Sequence, residues 1–175
     1  MRLKPLKDRA GGVGKRLPAD AHGGPSDAIL TSEVAADLEL PLTGGCGCGA
    51  VRFEVTAPLV GANYCHCTRC QRRSGTAASA NARPEPGSFR LLCGEDALRA
   101  WSPASGWEKL FCANCGSAVF SRDPQDHERM SIRLGAFDAD PGIRPRVRQF
   151  VAYAAAWETI PNDGLPRHEE SARLD

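Results

Sequence analysis

A chain of 175 residues with a formal net charge of +1, 25% charged and 42% hydrophobic residues, has the make-up of one ordinary globular domain with room for a core. Its basic residues are scattered along the sequence, which argues against a polyelectrolyte footprint on nucleic acid. No apolar run approaches the ~20 residues that span a bilayer, and Met1 to Pro25 is broken by Gly, Pro and charges where a signal peptide needs an apolar segment, so no membrane partner and a reducing cytoplasm are expected.

Residues 1–40 read as a flexible extension that carries at most a short helix. Ile29, Leu30, Val34, Leu38 and Leu40 recur loosely at helical spacing, and Ser32 can cap the segment from Glu33 to Leu38. The basic, glycine-rich run from Arg9 to Lys15 lacks the spacing and the Ser or Thr after the lysine that a phosphate-binding loop requires.

The body, residues 41–170, opens at Gly44-Gly45-Cys46-Gly47-Cys48-Gly49, where glycines let the backbone turn tightly enough to aim two sulfurs at one centre. Val51, Phe53 and Val55 then alternate with Arg52 and Glu54, the period of a half-buried strand, and Pro58 ends it. Further strands are expected over 62–65, 76–81, 89–92, 98–101, 109–112, 118–121, 130–134 and 147–153, separated by turn signals such as Pro84-Glu85-Pro86-Gly87 and Asp123-Pro124. Many short strands without strong helices indicate an all-β fold, a sandwich or folded-over sheet. Residues 171–175 form a polar tail.

Seven of the eight cysteines are clustered. Cys46-Gly47-Cys48 and Cys112-Ala113-Asn114-Cys115 are pairs at the spacing that lets two sulfurs reach one metal, and together they make a full set of four. Cys65, Cys67 and Cys70 are a trio that can hold one ion and leave its fourth position open. A disulfide framework is the alternative for an even cysteine count, but the reducing compartment opposes it and a bridge within Cys-x-Cys would be strained. Cys93 stands apart and reads most simply as a small buried residue. His66 alternates with Cys65 and Cys67, so in an extended segment its ring points away from their sulfurs; it is a candidate ligand, proton carrier or packing residue. Trp101, Trp107 and Trp157 read as core or rim, and Gln71 and Asn81 are candidates to line the open site.

The blocks Gly45-Cys46-Gly47-Cys48-Gly49-Ala50-Val51-Arg52-Phe53, Tyr64-Cys65-His66-Cys67-Thr68-Arg69-Cys70 and Phe111-Cys112-Ala113-Asn114-Cys115-Gly116-Ser117 resemble, in order and spacing, the glutathione-dependent formaldehyde-activating enzyme family, which also contains centromere protein V. The likeness extends to Gly94-Glu95-Asp96-Ala97-Leu98-Arg99, Asp140-Pro141 and Trp157-Glu158-Thr159-Ile160, and covers roughly residues 43 to 169. It implies an Mss4-like, tent-shaped β fold and two zinc ions: a structural one on Cys46, Cys48, Cys112 and Cys115, and a second on Cys65, Cys67 and Cys70 where glutathione is joined to formaldehyde. The implied activity is that of a carbon-sulfur lyase similar to S-hydroxymethylglutathione synthase, with a small thiol and an aldehyde as partners. Arg148 stands where the family often has His, and Ala154-Ala155-Ala156 replaces a more polar stretch.

Three thiolates on a divalent ion leave a formal charge of −1, so nearby cations matter. Arg69, Arg72 and Arg73 flank the trio and are candidates to offset that charge or to dock substrate carboxylates; a solvated turn is the plainer alternative. The competing functional reading is a non-catalytic, zinc-stabilised binding module.

Overall fold

The computed structural model describes residues 38–172, so the predicted extension with its short helix lies almost wholly outside the described residues. Among these residues the chain forms eleven short strands and one α-helix in two sheets. The first sheet orders β1 (Leu42–Gly45), β2 (Arg52–Val55) and β5 (Phe89–Cys93) as β1-β2-β5, all antiparallel.

The second sheet has eight strands. It runs from β11 (Arg167–His168) through β10 (Arg148–Gln149), β3 (Gly61–Cys65), β4 (Ser79–Arg83), β9 (Met130–Arg133), β8 (Ala118–Arg122) and β7 (Glu108–Cys112) to β6 (Leu98–Trp101). Only β10 pairs in parallel, with β3 on one side and β11 on the other. The all-β expectation is met.

Period-two alternation explains how the sheets close on a core. Val51, Phe53 and Val55 of the β2 region are fully buried, as are Val119 and Ile132 from the second sheet. Phe53 stacks on Phe89 at 5.5 Å between ring centroids and meets Phe137 edge-on at 5.5 Å, and Phe89 lies 5.0 Å from Phe120 of β8. This aromatic seam joins the sheets, each fully buried large side chain contributing about 1.5–3 kcal/mol. Gly44 is required beneath it: a Cβ there would stand 2.4 Å from the Phe53 ring and 2.3 Å from the Ala136 carbonyl oxygen.

Three local expectations are corrected. The cysteine trio runs into a helix, α1 (Thr68–Ser74), where no strong helix is expected. Its cap is a sulfur: Cys67 is extended and its Sγ accepts the Cys70 N–H at 3.4 Å, while left-handed Gly75 closes the other end by donating to the Gln71 carbonyl at 2.8 Å. The strand expected over 147–153 is cut to two residues because Phe150 takes a left-handed φ of 59°, after which Val151–Tyr153 forms a 3-10 turn. The strand expected from 76 begins only at Ser79.

Candidate metal centres and the cleft beside them

Two hairpin tips carry four of the cysteines. Cys46 and Cys48 lie in the tight turn between β1 and β2, where Cys46 N–H donates to the Val51 carbonyl at 3.0 Å. Cys112 ends β7 and Cys115 sits in the turn to β8, where Cys112 N–H donates to the Ser117 carbonyl and left-handed Gly116 donates to the Cys112 carbonyl. The tips meet: Gly47 N–H donates to the Ser117 hydroxyl at 3.0 Å.

All four sulfurs lie within 4.8 Å of one another. A Zn–S bond of ~2.3 Å implies a tetrahedral edge of ~3.8 Å; the Cys46–Cys48 and Cys48–Cys112 separations are 3.5 and 3.8 Å. The donor set therefore fits a tetrahedral thiolate-binding ion such as zinc. At Cys46 and Cys115 hydrogen bonds favour the anionic form: Val51 N–H donates to Cys46 Sγ at 3.3 Å, and the Ser117 hydroxyl and N–H draw the Cys115 thiol down to about 6. All eight cysteines are free thiols, so no disulfide framework exists.

The trio gathers at the junction of β3 and α1. Cys65 ends the strand, Cys67 caps the helix and Cys70 follows one turn later, with all three sulfurs within 4.8 Å of one another. Cys65 and Cys70 are buried and Cys67 is half-buried. Hydrogen bonds from Cys65 and then Cys70 draw Cys67 down to about 2, while Cys67, Cys70 and burial push Cys65 up. Three sulfurs that must share protons when alone are suited to sharing a cation.

The trio opens into a cleft of about 810 Å³, a volume usual for small-molecule sites, and none of the other five cysteines lines it. Its floor is one face of the second sheet. Asn63, Asn81 and Arg133 are register partners across β3, β4 and β9, and Ser131, Ser121 and Lys109 form a second row across β9, β8 and β7. The opposite face supplies core residues Ala62, Ala82, Phe120 and Ile132. A sheet polar on one face and apolar on the other follows from strand alternation, but Asn63, Asn81 and Ser121 are buried although polar.

Arg133 holds this floor together, donating to Ser79 Oγ at 2.9 Å, to Ser121 Oγ at 3.3 Å and to Asn81 Oδ1. Lys109, Arg133 and Arg129 are cleft cations that sequence reading missed; the alternation of core Ile132 with Ser131 and Arg133 was the available signal. Of the three predicted arginines, Arg69 lines the cleft and donates to the Ser105 carbonyl at 2.9 Å. Arg72 is exposed and Arg73 half-buried, and neither lines the cleft. Burial and then Arg133 lower Arg73 to about 10.

His66 faces away from the trio into a smaller hollow of about 380 Å³, where its Nε2 lies 3.4 Å from Arg148 Nη1. Burial and then Arg148 depress its pKa. Arg148, itself buried, lies over the Tyr64 ring at 4.5 Å and pairs with Asp163 at 2.6 Å. Asn81 lines the cleft as expected. Gln71 does not; its Nε2 donates to the His66 and Tyr153 carbonyls at 2.6 and 2.7 Å, clasping the trio's loop to the C-terminal segment. Cys93 is exposed at the end of β5 rather than buried, outside both clusters. Trp101 and Trp157 are exposed, and Trp107 lines the cleft with Arg129 5.8 Å above its ring.

Among the described residues no helix is long and apolar enough to cross a membrane. A crystal structure of a Rhodobacter sphaeroides protein, a structural genomics target, aligns with 60% of this chain and 93% of its own at 28% identity, with a TM-score of 0.44. A Halomonas elongata protein provisionally named a glutathione-dependent formaldehyde-activating enzyme is 30% identical over an alignment of 126 residues that covers 68% of this chain and 80% of that relative. Residues 41–153, spanning both cysteine clusters, match the family described as glutathione-dependent formaldehyde-activating enzyme. The chain belongs to the glutathione-dependent formaldehyde-activating enzyme family.

Proposed function

We propose that this protein is a zinc-dependent carbon-sulfur lyase acting on thiol-aldehyde adducts, with S-hydroxymethylglutathione, made from glutathione and formaldehyde, as the leading substrate. Cys46, Cys48, Cys112 and Cys115 hold a structural ion that staples the two sheets; Cys65, Cys67 and Cys70 hold the second. The observation that carries this reading is that the trio alone, among the cysteines, lines the cleft. Three ligands would leave a fourth position for a substrate group, and the trio borders a volume that accommodates a tripeptide.

Zinc held by the trio would favour the thiolate of an incoming thiol, because a cation beside sulfur stabilises its charged form. In the forward direction sulfur adds to the carbonyl carbon, a carbon-sulfur bond forms, and the thiol proton ends on the former carbonyl oxygen. The reverse breaks that bond and returns the proton to sulfur. Lys109 and Arg133 supply positive charge beside the thiolates, and the Asn63–Asn81 pair supplies amides that orient polar groups of the substrate. His66 supports the loop from behind through Arg148. Free thiol ligands suit a reducing compartment such as the cytoplasm.

The test is metal analysis followed by exchange NMR of formaldehyde with glutathione. Two zinc ions per chain and exchange well above the uncatalysed rate are expected. A folded protein with both ions and only background exchange would move the assignment to a non-catalytic zinc-stabilised module.

A further inference from the structure

The cleft carries more positive charge than its metal site can use. Arg69, Lys109, Arg129 and Arg133 line it against the single carboxylate of Glu128. Arg129 is paired with Asp123 at 3.0 Å, yet the excess outlasts both that pair and the single negative charge of three thiolates on a divalent ion. Among the described residues neither Lys109 nor Arg133 has a carboxylate within ion-pairing distance; Arg133 is held by neutral oxygens only, and burial lowers the Lys109 pKa.

These two cations converge. Lys109 is the register partner of Ser121 across β7 and β8, and Arg133 donates to the hydroxyl of that same Ser121, so both heads belong to one patch of the sheet face. Beside the patch, Asn63 is 4% exposed and its Nδ2 has no hydrogen-bond partner among the described residues, leaving a donor on the cleft floor for an acceptor brought by a ligand. Half-buried cations held by neutral groups, next to an unsatisfied donor, are the chemistry of an anion site.

Resting on the reading of the cleft as the thiol site, we propose that Lys109 and Arg133 form a carboxylate-docking floor, with Asn63 as an added donor, that makes the cleft select thiols bearing a free carboxylate over neutral or cationic thiols of similar size. The sheet supplies the rigidity: Lys109 on β7 and Arg133 on β9 flank the same strand, β8, so the distance from floor to trio is set by backbone pairing and a ligand is read by the span between its sulfur and its carboxylate.

The experiment uses the zinc-loaded full chain and S-methylglutathione, whose blocked sulfur cannot react, with calorimetry as the readout. Wild type is expected to bind it with an affinity that falls as salt rises. Lys109→Gln, which loses no hydrogen bond to any described residue, is expected to bind it about tenfold more weakly with a flatter salt dependence and unchanged zinc content. The diethyl ester of the same probe should bind wild type no better than the acid binds the variant. Arg133→Lys, which keeps the charge and loses the planar fork, should fall between the two.

Equal affinity of wild type and Lys109→Gln for the acid, equal affinity of wild type for acid and ester, or no binding of the acid at all would overturn the proposal. A fall in zinc content in Lys109→Gln with unchanged probe affinity would overturn it too, assigning the cations to charge balance of the trio. Because the probe is inert, loss of the proposed chemistry leaves this result standing: charge-dependent binding without formaldehyde exchange would refute the lyase and keep the docking floor.

Discussion

The Cys48 and Cys112 sulfurs, 64 positions apart in the chain, lie 3.8 Å from each other, and that contact brings a hairpin tip of the three-stranded sheet onto one of the eight-stranded sheet. A metal held there would do the work of a cross-link. Structural zinc contributes on the order of 10 kcal/mol to folding small domains, comparable with the whole net stability of ~5–15 kcal/mol. Cys112 is fully buried and contributes to both the metal set and the core. Cys112→Ser is therefore expected to abolish cooperative unfolding, checked by circular dichroism through thermal denaturation; a sharp transition at the wild-type temperature contradicts the staple.

Cys67 caps α1 and is a proposed metal ligand, and the two roles separate on substitution. Serine is among the best N-cap residues, so Cys67→Ser preserves the capping of α1 while removing a thiolate. The expected result is a folded protein that loses one of two zinc ions, with Tm within a few degrees of wild type and formaldehyde exchange reduced at least a hundredfold. Elemental analysis beside calorimetry checks it. Retention of both ions would remove Cys67 from the second site.

Asp163 is the carboxylate beside buried Arg148, whose other neighbours are the Tyr64 face and His66. Asp163→Asn leaves that guanidinium without its counter-charge and is expected to cost about 2–3 kcal/mol, somewhat less than a fully enclosed pair because Asp163 is partly open to water. Urea unfolding measures the loss. Exchange protection of the His66 and Tyr64 amides, which donate to the Gln149 and Val147 carbonyls, should fall with it.

Asp138 is pinned by the Arg52 guanidinium and then the Thr43 hydroxyl, which draw its carboxyl from 3.8 to about 2. A carboxylate with a lower pKa folded than unfolded stabilises fully above the unfolded value. That contribution disappears as pH falls through the folded one. The stability difference between wild type and Asp138→Asn should be constant from pH 7 to 5 and shrink below pH 4. Denaturant unfolding across that range checks it, and a difference independent of pH down to 3 would count against the ion pair.

Alternation made much of the fold legible. Val51, Phe53 and Val55 announce one buried face, and all nine of the strand segments expected from sequence are present in some form. Cysteine spacing likewise divided four thiols from three before any coordinates, because two sulfurs two or three positions apart can reach one ion without help from the rest of the chain. α1 was not legible: a helix of seven residues is too short to persist alone, and its cap is a sulfur rather than the usual oxygen. The break at Phe150 was hidden because a bulky residue seldom takes φ of 59°, and local preference favours continuing the strand.

The cationic cleft was the largest omission. Lys109, Arg129 and Arg133 are scattered in sequence and read as unrelated surface charge, yet strand order β3-β4-β9-β8-β7 places Lys109 and Arg133 on one face beside the trio. By itself the sequence determined the class of fold and the partition of the thiols, since both rest on spacings of a few residues. Tertiary structure alone decided which strands adjoin and hence which charges share the cleft. Sheet neighbours are chosen by packing between segments far apart in the chain, and no short-range pattern records that choice.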